Sequence, residues 1–147
     1  MATKNRLYPH LLAEDIELWE QWLGDHRNDY VRYDYDVRVG LGRDPGDDFP
    51  GNIRQMGVDL SQRRIDVVGY SHSHIAIIEI TLHAGIKAIG QLTTYPLLYM
   101  ELFNPRRPLK KILIYREKSD DIDGAIVAQG IFTYSYPYPP ATSGEPS

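Results

Sequence analysis

The sequence predicts an α/β fold, a mixed central sheet flanked by helices, and three observations carry that prediction. Segments of helical period alternate with β-branched or period-two segments in the order α, β, β-hairpin, α, β, α, β. The 147 residues are 42% hydrophobic and 24% charged, an ordinary globular composition for a chain long enough to enclose one core. No internal repeat divides the chain into stacked units. One domain is expected over residues 1–136, with a proline-rich tail over 137–147.

Each element has a local reason. Ile16, Trp19 and Leu23 recur at helical spacing behind Glu14 and Asp15, which predicts a helix over 14–23 stopped by Gly24, with both tryptophans (Trp19 and Trp22) in the core. Residues 30–39 alternate with period two and run into Gly40-Leu41-Gly42, the pattern of a strand and a break. Glycine and proline over 40–57 predict a long loop. Residues 64–70 and 74–81 are two apolar runs around Ser71-His72-Ser73, a central hairpin covered on both faces. A helix follows over 85–103, where Pro96 is expected to kink it or divide it in two. A strand over 110–116, a short helix over 121–129 ended by Gly130, and a strand over 131–136 complete the order.

Charge and composition restrict function. A net charge of −4 argues against bulk electrostatic attraction to nucleic acid, so any DNA contact must be local. Without cysteine there are no disulfides, thiolate zinc sites, iron–sulfur clusters or cysteine nucleophiles. The longest apolar run, Ile75 to Ile78, is far below the ~20 residues of a membrane span, and residues 1–10 lack a signal-peptide core. The expectation is a soluble, cytoplasmic protein without membrane contact.

The hairpin holds the chemistry. A two-residue turn at His72-Ser73 sets Asp66 opposite Glu79, where two carboxylates in an apolar sheet repel unless a divalent cation lies between them. The alternative is a bulge or another register that parts them, or pairing of each with an arginine such as Arg63 or Arg64. Arg106, Arg107, Lys110, Lys111, Arg116 and Lys118 gather six positive charges in thirteen residues, either a phosphate-contacting patch or a solvated basic segment. His72 and His74 lack a third ligand nearby in sequence and do not predict a metal site.

Three motifs in order, Ile65-Asp66-Val67-Val68, Ile77-Ile78-Glu79-Ile80-Thr81 and Gly90-Gln91-Leu92-Thr93-Thr94-Tyr95, resemble the central motifs of the PD-(D/E)XK nuclease superfamily, particularly its RecB-like and phage-encoded branches. The resemblance covers roughly residues 14–136 and implies a restriction-endonuclease-like core. It implies Mg2+ held by Asp66, Glu79 and the Ile80 carbonyl, with Gln91 and Tyr95 facing the site, and Glu17 or Glu20 available to complete the metal shell. Thr81 stands where the motif lysine belongs, and Lys87, at the start of the following helix, is the candidate to replace it.

Two functions follow as expectations. In the first, the site has degenerated and the chain is a connector-type component of an assembly, plausibly a phage particle, oligomeric with other protein chains and found in host cytoplasm or virion. The other is a Mg2+-dependent deoxyribonuclease using Asp66, Glu79, Lys87, Gln91 and Tyr95, with Arg106, Arg107, Lys110 and Lys111 as DNA contacts.

Overall fold

Five strands form one mixed sheet in spatial order β1-β2-β3-β4-β5 in the computed structural model, which describes residues 8, 11–40, 42, 44, 46–55 and 63–140. Helix α1 (Ala13–Asp25) precedes β1 (Arg32–Val39), β2 (Arg63–Tyr70) and β3 (Ile75–Ala84). Helix α2 (Ile86–Phe103) then leads to β4 (Leu109–Lys118), a 3-10 turn (Asp120–Ile122), α3 (Asp123–Ala128) and β5 (Phe132–Ser135). β1, β2 and β3 are an antiparallel meander, whereas β4 and β5 run parallel to β3 because a helix crosses over before each. The α/β class and the order of elements are those the sequence predicts.

α1 covers one face of the sheet with Leu18, Trp19 and Trp22, which pack on Val67, Ala76, Ile78, Ile80, Ile112 and Ile114. Its first turn carries Glu14 and Asp15, favourable against the helix dipole. At its other end the His26 ring takes up the Trp22 carbonyl at 2.9 Å and stacks on the Trp22 indole, and the helix runs through the predicted stop at Gly24 to Asp25. α2 covers the opposite face through Ala88, Leu92 and Tyr99, above Ile65, Val68, Ile75, Ile77 and Leu113. Pro96 lies buried inside α2 without dividing it: the helix is continuous from Ile86 to Phe103. Burial of its ring against the sheet offsets the missing backbone donor.

Residues 51–55 form a helical turn within the predicted loop, and positions 41, 43, 45, 56 and 57 of that loop lie outside the described residues, as do 141–147 of the tail. The described start of the tail docks on the body, with the Arg116 guanidinium 4.7 Å from the centre of the Tyr138 ring, and just before the tail Tyr136 donates to Asp25 at 2.8 Å.

One irregularity shapes the functional region. Along β1, Tyr33 and Tyr35 pack with the α1 layer but Val37 and Val39 with the α2 layer, although all four have the same parity. β2 does the same between Val67 and Ile65. Pairing is kept on both sides, Tyr35↔Val67 and Val37↔Ile65, and is skipped only at Asp36/Asp66. Asp36 takes a left-handed φ of 54°, which aspartate tolerates better than a β-branched residue. Both strands therefore turn over at this step, and Asp66 belongs to neither core layer.

Candidate functional site

The β2–β3 ladder follows the two-residue-turn register, Tyr70↔Ile75 to Val67↔Ile78, and stops one step before Asp66 and Glu79. From there the two carboxylates replace the ladder. The Asp66 N–H donates to Glu79 Oε2 at 3.3 Å, and the Ile80 N–H donates to Asp66 Oδ2 at 3.0 Å. Each carboxylate satisfies a backbone donor that the parting strands would leave without a partner. Glu79 is 3% exposed, and Asp66 is half-buried.

The pair opens into a cavity of about 420 Å³ between the start of α1, the end of β3 and the first turns of α2. Asp15, Thr81, His83, Lys87 and Gln91 line it along with both carboxylates. A second cavity of about 250 Å³ lies on the other side of Asp66. There Tyr35, Asp36 and Arg64 form the wall, and Arg64 approaches the Asp36 carboxylate at 3.5 Å.

Electrostatics mark the pair as costly. Burial pushes the Glu79 carboxyl well above the usual carboxylate range, and the Asp66 charge pushes it further; the Lys87 charge acts in the opposite direction. Asp66 is also raised, first by burial and then by the charges of Asp15 and Asp36, against the Ile80 N–H that favours its ionised form. Asp15 is raised by burial and by Glu14. Two acids this close titrate as a unit, in which burial and mutual repulsion favour the protonated form beyond the ordinary carboxylate range.

The structure brings Asp66, Glu79, Lys87 and Gln91 to one cavity. Tyr95 lies one turn beyond Gln91, with the Gln91 amide 3.5 Å from its hydroxyl, and packs against the core below α2. Thr81 faces the cavity and donates its hydroxyl to the His83 carbonyl at 3.2 Å. Of the α1 acids, Asp15 lines the cavity where Glu17 or Glu20 was expected; the helix start leans over the cleft, so the acid of the first turn reaches it. Among the described residues no three His, Asp or Glu side chains converge on one ion position.

The basic segment does not reach this cavity. Arg107 donates to the Ser71 carbonyl at 2.6 Å beside the hairpin turn, and Lys110 sits 4.0 Å from the centre of the Phe132 ring. Lys111 donates to Gln129 at 3.2 Å, and the buried Arg116 donates to the Tyr136 carbonyl at 2.9 Å. Arg106 is exposed in the turn before β4. β4 enters beside Ile75 and passes Glu79 only at Leu113, which sets Arg106, Arg107 and Lys110 toward the far end of the sheet. His74 is held by the Tyr30 hydroxyl at 2.8 Å and by Ser71 at 3.1 Å, a turn-fixing role.

No family model, curated protein or solved structure matches this chain. No helix among the described residues is long and apolar enough to cross a membrane.

Proposed function

We propose that this chain is a divalent-cation-dependent nuclease hydrolysing phosphodiester bonds in the cleft between α1, β3 and α2. The observation that carries the reading is the interlocked Asp66–Glu79 pair, placed in one cavity with Lys87 and Gln91. Neutral acceptors such as asparagine would satisfy the same backbone donors without two like charges, so the acid pair is explained by a cation and not by the fold. An all-oxygen set of two carboxylates fits Mg2+, which keeps several waters and completes its shell with substrate phosphate. Asp66, Glu79 and the Ile80 carbonyl would hold it, and Mg2+ bound there supplies a more acidic water and charge neutralisation at the phosphate.

The chain's own groups do the rest. Asp66 and Glu79, once deprotonated, fix the position of the reacting phosphate relative to β3. Lys87 reaches the cleft from the first turn of α2 and takes over the charge that Thr81 does not provide, stabilising the negative charge that develops on the phosphate. Gln91 orients the water or a phosphate oxygen, itself braced by Tyr95.

The direct test is incubation of the purified protein with Mg2+ or Mn2+ and plasmid, linear or single-stranded DNA. Cleavage that disappears in Glu79→Ala and in EDTA supports the reading, and no cleavage of any substrate with either ion refutes it. A second reading, a connector-type assembly component of a phage particle built on this fold, is favoured by Thr81, whose hydroxyl is committed to the His83 carbonyl where a lysine is expected. That reading predicts an inactive wild type, and loss of assembly with other chains when residues 137–147 are removed.

A further inference from the structure

We propose that the outer face of α2 is a self-association surface, on which a second copy of this chain packs its own α2 antiparallel about a two-fold axis. α2 rests on the sheet through Ala88, Leu92 and Tyr99. Its outer face, with Ile86, Gly90, Thr93, Leu97 and Met100 at helical spacing, holds no charge. A solvated helix face is ordinarily charged or polar, but here Ile86 is 75% exposed, Leu97 57% and Met100 51%. Gly90 sits in the middle of this face. Glycine is among the least favourable residues inside a helix, and the fold of one copy does not call for it: apart from its own turn of helix, no described atom lies within 4 Å of a Cβ placed there. A second backbone can approach closely at that point.

The charges supply the register. α2 carries two charged residues, Lys87 and Glu101. Nearly four turns separate them, so they lie on one flank of the helix, ~21 Å apart along its axis. A two-fold axis crossing the helix at Thr94 sets Lys87 of each copy opposite Glu101 of the other. The same axis lays Gly90 within one residue of the other copy's Leu97 and sets Ile86 opposite its Leu102. Leu102 walls a groove of about 310 Å³ with Gly40, Leu98 and Glu101, so the most exposed apolar side chain of α2 meets the groove at the far end of the same face. Opposite charges attract across several ångströms of apolar seam, and the Lys87 ammonium keeps its place at the cleft. Eighteen residues make a face ~27 Å long, roughly several hundred Å² per copy, at the low end of specific interfaces. The dimer therefore forms with concentration and is not obligate.

Sedimentation equilibrium of the full chain from about 1 to about 500 µM is the test. Wild type should pass from monomer to dimer across that range. Leu97→Arg and Glu101→Lys change exposed positions, so both should keep the wild-type circular dichroism. Each should weaken association at least about tenfold, since a two-fold axis counts every substitution twice. Adding Lys87→Glu to Glu101→Lys restores opposite signs and should recover most of that loss. A wild type that stays monomeric throughout overturns the second copy as the occupant of this face. A dimer unaffected by Leu97→Arg, or a charge exchange that recovers nothing, overturns the antiparallel α2 seam. The nuclease reading stands or falls on its own cleavage test in each case.

Discussion

Replacing Glu79 by glutamine should make the protein more stable at neutral pH. The unfolded chain ionises both carboxylates at pH 7 without penalty, whereas the folded chain ionises the Asp66–Glu79 unit only at a cost because Glu79 is buried beside a second acid. The sign follows from that difference. A carboxyl raised in the folded state contributes fully below its unfolded pKa, and the contribution falls as pH rises toward its folded value. Each pH unit above the ordinary 4.5 over which Glu79 retains its proton costs ~1.4 kcal/mol, so the upper limit at pH 7 is about 3.5 kcal/mol. Glutamine has nearly the shape of the protonated acid, accepts from the Asp66 N–H, and escapes the cost. At roughly 2–4 °C per kcal/mol for a chain of this length, Tm should rise by up to about 7–14 °C at pH 7. Thermal denaturation at several pH values reads this directly: the gap between variant and wild type closes toward pH 4.5. A variant no more stable than wild type at pH 7, or a gap independent of pH, would refute the reasoning.

Two further outcomes rest on separate observations. Among the described residues the buried Tyr33 hydroxyl has no hydrogen-bond partner, so Tyr33→Phe should leave urea unfolding unchanged or stabilise the protein by about 1 kcal/mol; a clear loss would show that the hydroxyl is bonded. Thr81→Lys sets an ammonium on the cleft side of β3 beside Glu79, where Lys87 already supplies the charge, so the cleavage rate with Mn2+ should rise by less than about tenfold, under ~1.4 kcal/mol of transition-state stabilisation. A larger rise would show that Lys87 does not fill the role.

Periodicity and turn chemistry made much of this fold legible. α1 and the strands follow from spacing, and the β2–β3 register follows from the two-residue turn as far as Val67↔Ile78. What lies next to the site was hidden because it breaks the rule used to read strands. Strict alternation assigns Tyr35 and Val37 to one face, but the skipped step at Asp36/Asp66 turns both strands over and releases Asp66 into the cleft. An aspartate in mid-strand at Asp36 was the available signal, since a left-handed residue in mid-strand favours Asp or Asn.

The other departures are three-dimensional as well. Helical spacing does not tell which of Asp15, Glu17 and Glu20 leans over the cleft, because that depends on how far α1 overhangs the end of the sheet. Charges clustered in sequence over 106–118 are dispersed along a strand and taken up by Ser71, Gln129 and Tyr136. His83 was legible in principle as sharing strand parity with Glu79 and Thr81, but its partners Glu117 and Ser119 come beside it only through the parallel pairing of β3 and β4.

The claim at the centre of this account is that the acid pair exists for a cation. Calorimetric titration of Mn2+ at pH 7, repeated in two buffers of different ionisation enthalpy, tests it most directly. One ion per chain should bind to the wild type with release of protons, because the cation favours the ionised form of an acid pair whose carboxyls burial and mutual repulsion raise. Both the binding heat and its buffer dependence should vanish in Glu79→Gln. A wild type without binding heat, or binding that survives in Glu79→Gln with the same proton count, would contradict the account.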